Sequence, residues 1–331
     1  MFNHNMVISK TPMRVTFVGG GTDIPSYYRQ YGPGAVVSAA INKYIYIIAN
    51  KLFTEDIVIK YSKIEIVNDP NEIQHPLFRD ALKLLGIKKG IEINSVAEVT
   101  TRRGGVGLGS SSAFLVGLLN ALHAWQGETA SPRQLAEEAV HIEREVLKEP
   151  GGKQDQYMAA FGGIRYLQFN NDESVDVKRI EIDEELRNEL RSRLIMFYTG
   201  IQRSSGEVHA KQAAEADRHV EAYKRMKDLA DRLYADLNNG IIDNVGRLLH
   251  ENWLLKRSLS NGISSSEIDA LYEKAMRAGA EGGKLIGAGG GGFLLFFADP
   301  SKHDTIRKSI GLQEIKFDFE ALGSRIIYAS E

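Results

Sequence analysis

The chain has 331 residues, 43% hydrophobic and 25% charged, with a formal net charge of -2. That is a globular composition, long enough for two domains, with no global pull toward nucleic acid or an anionic membrane. It has no cysteine, no His-Glu-x-x-His pair, no bilayer-length apolar run and no signal-peptide pattern, which argues against disulfides, thiolate metal sites and a zinc hydrolase and leads us to expect a cytoplasmic protein.

In chain order, residues 13–18 read as a strand that runs into Gly19-Gly20-Gly21-Thr22-Asp23. Residues 35–49 and 57–67, rich in Val, Ile and Tyr, read as further strands, and 80–85 as a short helix. Residues 91–100 alternate like a strand, and a helix follows over 111–125. Pro132 after Ser131 opens a helix that continues to Lys148, where Pro150-Gly151-Gly152 stops it. A short helix over 154–160 precedes a Gly162-Gly163 turn and strands at 164–169 and 194–199. The domain change is placed near residue 200, dividing the chain into 1–200 and 201–331. Beyond it come a long polar helix over 204–237, helices over 241–257 and 265–278, a strand over 293–297 and two closing elements, including 325–328. Strands and helices mix without regular alternation, so the class is α+β. Charges on the long helix are mixed (Glu207, Lys211, Glu215, Asp217, Arg218), unlike a phosphate-tracking basic stripe.

Three glycine-rich segments, 19–21, 104–109 and 287–292, each adjoin a strand or helix end. Three independent turns would explain them singly. Together they suggest backbone packed around a common ligand. The middle one, Gly105-Val106-Gly107-Leu108-Gly109-Ser110-Ser111-Ser112, empties into an apolar helix. Glycines let backbone close on an anion, and first-turn N–H groups have no partner within their own helix, so this is phosphate-binding geometry. The serine hydroxyls can cap the helix, contact phosphate or reach a metal ion.

Four side chains stand out. Asp155 follows the helix break at Gly151-Gly152; it is either a plain first-turn acid or a catalytic base or hydroxyl-orienting group. Glu143 falls in a row with Ala136, Val140 and Leu147, beside the row Leu135, Ala139, Ile142, Val146. A carboxylate there either reaches water at the edge of the apolar stripe or meets a metal ion or cation. Arg14, within the first strand, either faces outward or supplies a fixed positive charge to a transferring phosphoryl group. Arg102 and Arg103 are solvated loop residues or contacts to an anion.

The ordered set Thr11-Pro12-Met13-Arg14 through Asp23, Gly105 to Ala113, Gly152-Lys153-Gln154-Asp155-Gln156 and Lys284 to Phe293 resembles the GHMP kinase family over nearly the whole chain. The resemblance implies a two-domain α+β fold, with a left-handed β-α-β crossover in the N-terminal domain and a ferredoxin-like C-terminal domain. It implies ATP and Mg2+ as cofactors. Gly105, Gly107, Leu108, Gly109, Ser110, Ser111 and Ser112 would bind the ATP phosphates, and Ser111 and Glu143 the metal. Asp155 and Arg14 would be catalytic. Gly20, Gly21, Thr22, Asp23, Lys153, Arg203, Gly289 and Gly290 would contact the acceptor.

Gly19-Gly20-Gly21-Thr22-Asp23, Glu149 to Tyr157 and Tyr198 to Arg203 look most like the sugar-1-kinases of that family. The Glu-His pair usual in galactokinase-type chains is missing. The implied reaction is phosphorylation of the anomeric hydroxyl of a sugar phosphate, with a heptose 7-phosphate expected. That product would feed nucleotide-activated heptose. A neutral sugar of fucose or galactose type, or a mevalonate-like alcohol, is the alternative, followed by a non-catalytic sugar and ATP sensor. No nucleic-acid or membrane partner is expected, and a homodimer is left open.

Overall fold

The computed structural model describes residues 4–100, 107–201 and 205–330. Two long strands, β1 (Met6–Val18) and β2 (Gly34–Lys51), joined through α1 (Pro25–Tyr31), form the spine of a mixed sheet. The hairpin β3 (Ile57–Lys60) and β4 (Ile64–Val67), then α2 (Pro76–Leu84) and β5 (Ile91–Ala97), extend it. The expected single strand over 57–67 folds back at Tyr61, whose N–H donates to the Lys63 carbonyl at 2.9 Å. Helices α3 (Ser110–Trp125), α4 (Pro132–Val140) and α5 (Gln154–Phe161) precede β6 (Ile164–Phe169) and β7 (Val175–Arg179).

The far edge of β2 is shared: Gly34–Ala39 pairs with β6, and Ile45–Lys51 with β5. Strand β1 starts at Met6, earlier than its expected start at Met13, because Pro12 sits where the register shifts. A bulge is where an interior strand tolerates proline. Helix α3 is buried almost all round and lies on β1 and β2. Gly117 permits the close approach: a Cβ there would meet Thr11 Oγ1 at 2.6 Å. Ser9 Oγ donates to the Gly117 carbonyl at 2.7 Å, fixing the helix against the strand.

Helix α6 (Glu184–Ser192) leads to β8 (Leu194–Tyr198). Four helices follow: α7 (Ser205–Ala214), α8 (Val220–Asn238), α9 (Val245–Ser258) and α10 (Ser266–Arg277). Then come β9 (Gly282–Leu285), β10 (Phe293–Phe297), α11 (His303–Ile310) and β11 (Arg325–Ala329). Strands β8, β10 and β9 make a second, antiparallel sheet, with a bridge from Phe197 to Glu314 at its β8 edge. Every residue of β10 is buried, as an uninterrupted apolar strand requires. The sheets exchange strands across residue 200: β8 precedes it and joins the second sheet, while β11 returns to pair with β1. The division into 1–200 and 201–331 therefore stays a proposal about folding units.

The single long helix expected over 204–237 is two helices, α7 and α8, separated by a 3-10 turn at Ala216–Arg218. No proline or glycine marks that break. Buried Ala216 holds the turn in place. Helix α4 also ends early, in a π-turn at His141–Val146 that carries Glu143 and Arg144. Such turns recur at functional sites because they re-aim side chains.

Candidate active site

The three glycine segments meet. Gly107 (φ +83) and Gly287 (φ +91) touch backbone to backbone: a Cβ on Gly107 would lie 2.6 Å from the Ile286 carbonyl oxygen, and one on Gly287 2.6 Å from the Gly107 Cα. Gly20 faces the Lys284 ammonium, which would lie 3.9 Å from a Cβ there. This proximity favours the common-ligand reading over three independent turns.

Where they meet, Arg14 and Asp155 form a fork-to-fork pair. Arg14 Nε donates to Asp155 Oδ1 and Nη2 to Oδ2, both at 2.8 Å. Arg14 Nη1 donates to the Gly107 carbonyl at 2.6 Å, and the Arg14 backbone N–H to the Leu108 carbonyl at 3.0 Å. Arg14 is 5% exposed, so it does not face outward from the strand. Planar, two-point pairing fixes both side chains. Gly109 adopts the left-handed conformation ahead of α3, and a Cβ there would stand 3.3 Å from Arg14 Cγ and from Asp155 Cγ.

Two hollows open from this pair. The outer one, about 450 Å³, is lined by Gly107, Gly109, Ser110, Ser111, Ser112 and Glu143, among others. Among the described residues no side chain caps the α3 N-terminus, so its first-turn N–H groups and dipole can meet an anion. Ser112 Oγ donates to Glu143 Oε2 at 3.0 Å, Ser111 Oγ to Oε1 at 3.4 Å, and Gln156 Nε2 also donates to the carboxylate. Glu143 is 1% exposed. Burial pushes its carboxyl above the usual range, against the pull of Arg144, Gln156 and Ser112. Gln156 Oε1, buried beside it, has no hydrogen-bond partner among the described residues. A buried carboxylate, two hydroxyls and an orphaned amide oxygen make a hard oxygen donor set that suits Mg2+, which keeps several waters and phosphate oxygens as its other ligands.

The inner hollow is closed down to about 40 Å³, room for a few waters. Thr16, Gly20, Gly21, Asp23, Gln154, His209, Gln212, Lys256 and Lys284 line it. Asp23 is held by the Gly21 N–H at 3.0 Å and the Gln154 N–H at 3.2 Å, so its carboxylate sits at the α5 N-terminus. A Cβ on Gly152 would collide with Asp23 Oδ2 at 1.8 Å, which is why glycine is needed there. Arg144, Asp155, Arg14, His209, Gly287 and Ala288 face both hollows.

Other expected contacts are placed differently. Thr22 is fully buried, and its hydroxyl both donates to the Ala35 carbonyl and accepts from the Ala35 N–H, each at 2.9 Å; it locks a turn and faces no cavity. Lys153 pairs with Glu173 and lines a separate hollow, so it does not face the Arg14–Asp155 junction. Gly289 and Gly290 pack on Ile263, with Gly290 N–H donating to its carbonyl at 2.9 Å. Leu108 contributes backbone while its side chain joins the core. Gly105, Arg203, Arg102 and Arg103 lie outside the described residues.

Sequence reasoning missed Arg144, His209, Gln212, Lys256 and Lys284. Arg144 donates to the carbonyls of Gly152, Glu149 and Pro150 at 3.0–3.2 Å and so shapes the turn before α5. A cation in the apolar-rich third glycine segment was the available signal for Lys284. His209, Gln212 and Lys256 come from helices distant in sequence, and Arg144 is aimed by the π-turn that follows α4.

Family models for the GHMP kinases N-terminal domain and the GHMP kinases C-terminal region match residues 75–163 and 233–313. D-glycero-alpha-D-manno-heptose 7-phosphate kinase of Campylobacter jejuni is 31% identical, over 96% of this chain and 98% of that protein. L-fucokinase/L-fucose-1-P guanylyltransferase of Bacteroides fragilis is 26% identical over 93% of this chain, which spans 36% of that longer protein. The solved structure of a D-glycero-D-manno-heptose 1-phosphate kinase from Bacteriodes thetaiotaomicron superposes with a TM-score of 0.80 at 24% identity, over 97% of this chain and 99% of that one. The chain belongs to the GHMP kinases and has their two-domain fold.

Proposed function

We propose that the protein transfers the γ-phosphoryl group of ATP to the anomeric hydroxyl of a sugar phosphate, with D-glycero-D-manno-heptose 7-phosphate as acceptor and the 1,7-bisphosphate as product. The observation that carries this reading is the Arg14–Asp155 pair standing between two hollows of different chemistry. Full-length similarity to the Campylobacter enzyme supports the choice of acceptor.

ATP phosphates bind in the outer hollow, on the α3 N-terminus and the serine hydroxyls. Glu143 and Ser111 would hold Mg2+, whose charge neutralises the phosphates when bound. The acceptor binds in the inner hollow, its hydroxyls meeting Asp23 and the backbone of Gly20 and Gly21. Its anomeric oxygen forms a bond to the γ-phosphorus as the bond to the β,γ-bridging oxygen breaks and ADP leaves. The hydroxyl proton passes to a free lone pair of the Asp155 carboxylate. Arg14 remains beside the reacting phosphoryl group and offsets its charge. Most of the acceleration is positioning and charge stabilisation. A sugar does not fit the inner hollow as it stands, so part of its lining has to shift on binding.

The test is ADP release with Mg-ATP against heptose 7-phosphate, hexose 6-phosphates, fucose, galactose and mevalonate. Turnover confined to heptose 7-phosphate is expected. Turnover confined to a neutral sugar keeps the phosphoryl-transfer centre and overturns the acceptor. Silence throughout, with ATP still bound, favours a sensor.

A further inference from the structure

Two lysines sit in the wall of the inner hollow with no acidic side chain paired to them. Lys256 is 5% exposed and Lys284 1%. Neither forms an ion pair among the described residues. Lys256 Nζ donates to the Gly287 carbonyl at 2.5 Å, and Lys284 Nζ to the Phe17 carbonyl at 3.0 Å. An ammonium has three donors, so each keeps capacity for a ligand. Gln212, 1% exposed, adds an Nε2 with no partner among the described residues, and His209 an Nδ1 in the same state.

The charges around this hollow do not balance. Arg14 is paired with Asp155 and Arg144 lies 3.9 Å from Glu143, which leaves Lys256 and Lys284 facing Asp23 alone. Asp155 is matched by Arg14, and Asp23 is already held by the Gly21 and Gln154 backbone. Burial pushes Lys256 down to about 8 and Lys284 well below an ordinary lysine. Two buried ammonium groups facing one carboxylate are costly. Position decides which anion would relieve them: both lysines line the inner hollow, and neither lines the outer one that faces the α3 N-terminus.

We infer that Lys256 and Lys284, with the Gln212 amide, bind a phosphate monoester carried by the acceptor, so that the enzyme selects sugars that are already phosphorylated. This rests on the kinase reading above and deepens it. The rival role for the same charges is a grip on the γ-phosphoryl group of ATP.

Inorganic phosphate is the binding probe, and heptose 7-phosphate and the free heptose are the paired acceptors. Wild-type protein is compared with Lys256→Met, Lys284→Met and Gln212→Leu, each checked for an unchanged circular-dichroism melt. Gln212→Leu stands in for any lysine variant that fails to fold. In the wild type, phosphate should compete with heptose 7-phosphate and not with ATP. Lys256→Met deletes a charge-assisted hydrogen bond to the phosphate and should raise the KM for heptose 7-phosphate by about 30-fold. It should leave the KM for ATP unchanged and narrow the gap in kcat/KM between heptose 7-phosphate and free heptose. An equal fall in kcat on both acceptors would assign the lysines to the transferring phosphoryl group and overturn the inference. So would unchanged KM values in folded variants of an enzyme that does use heptose 7-phosphate, and that result would leave the kinase reading standing. A wild-type enzyme that turns over only unphosphorylated sugars would overturn the inference and the proposed acceptor together, with kinase chemistry intact.

Discussion

The two hollows that flank Arg14 and Asp155 are built on opposite plans. The outer one is dominated by backbone and small groups of the α3 N-terminus and the serines that start it, with Glu143 across from them, and borrows its remaining lining from residues it shares with the inner one. The inner one gathers long side chains from β1, α5, α7, α9 and β9. On the proposed reading, the contrast matches what each has to recognise. A triphosphate is common to many enzymes and can be held by a contiguous loop and a helix end. An acceptor is particular, and its pocket is assembled from pieces that only the tertiary fold brings together.

Substitutions can break this comparison in order of expected effect. Arg14→Met removes a cation that both hollows share. It should lower kcat about a thousandfold, as loss of a cation on a transferring phosphoryl group does, and lower the melting temperature, because Asp155 loses its partner. Steady-state kinetics and a thermal melt read both; full activity in a folded variant would remove Arg14 from the centre.

Glu143→Gln acts on the outer hollow alone. It should weaken Mg2+ activation about 10- to 100-fold while leaving acceptor affinity unchanged, measured by titrating Mg2+ at saturating acceptor. The same residue gives a pH signature. Its folded value lies above the ordinary 4.5 because of burial. The stability it contributes is therefore fully present below about pH 4.5 and is lost as pH rises through the raised folded value. Without metal, wild-type stability should decline over that window and the variant's should not. A pH profile unchanged by the substitution would contradict the burial argument.

Thr22→Val sharpens the line between turn and pocket. The Ala35 N–H and carbonyl each lose a hydrogen bond, so about 2 kcal/mol of stability should go, seen in denaturant unfolding, with KM values unchanged. A raised acceptor KM would return Thr22 to the substrate. Lys153→Met should do least: it faces another hollow and pairs with half-exposed Glu173, so acceptor kinetics should match wild type. A large KM change would extend the acceptor site to that side.

The same contrast explains how much was legible in the sequence. Ser111, Ser112 and Glu143 were readable because a glycine loop entering an apolar helix, and a carboxylate on an apolar stripe, are local patterns. Arg14 and Asp155 were readable as residues out of keeping with their neighbours, though their pairing was not. Lys256 and Lys284 were invisible as a pair because α9 and β9 meet only through packing. Thr22 and Lys153 were misplaced for a related reason. Adjacency to Asp23 and Asp155 in the chain says nothing about side-chain direction, and in a tight turn neighbours point apart. The fold was legible where an apolar run was long and unbroken, as in α3 and β10. It was not legible at the break between α7 and α8, where no residue in the chain signals a stop.

On the proposed mechanism, chemistry takes place at Asp155, apart from ATP binding. Asp155→Ala should be assayed for ATP affinity by calorimetry and for turnover in the same preparation. An ATP dissociation constant close to wild type and a kcat lower by about 100-fold or more are expected. Retained turnover, or loss of ATP binding in step with turnover, would contradict it.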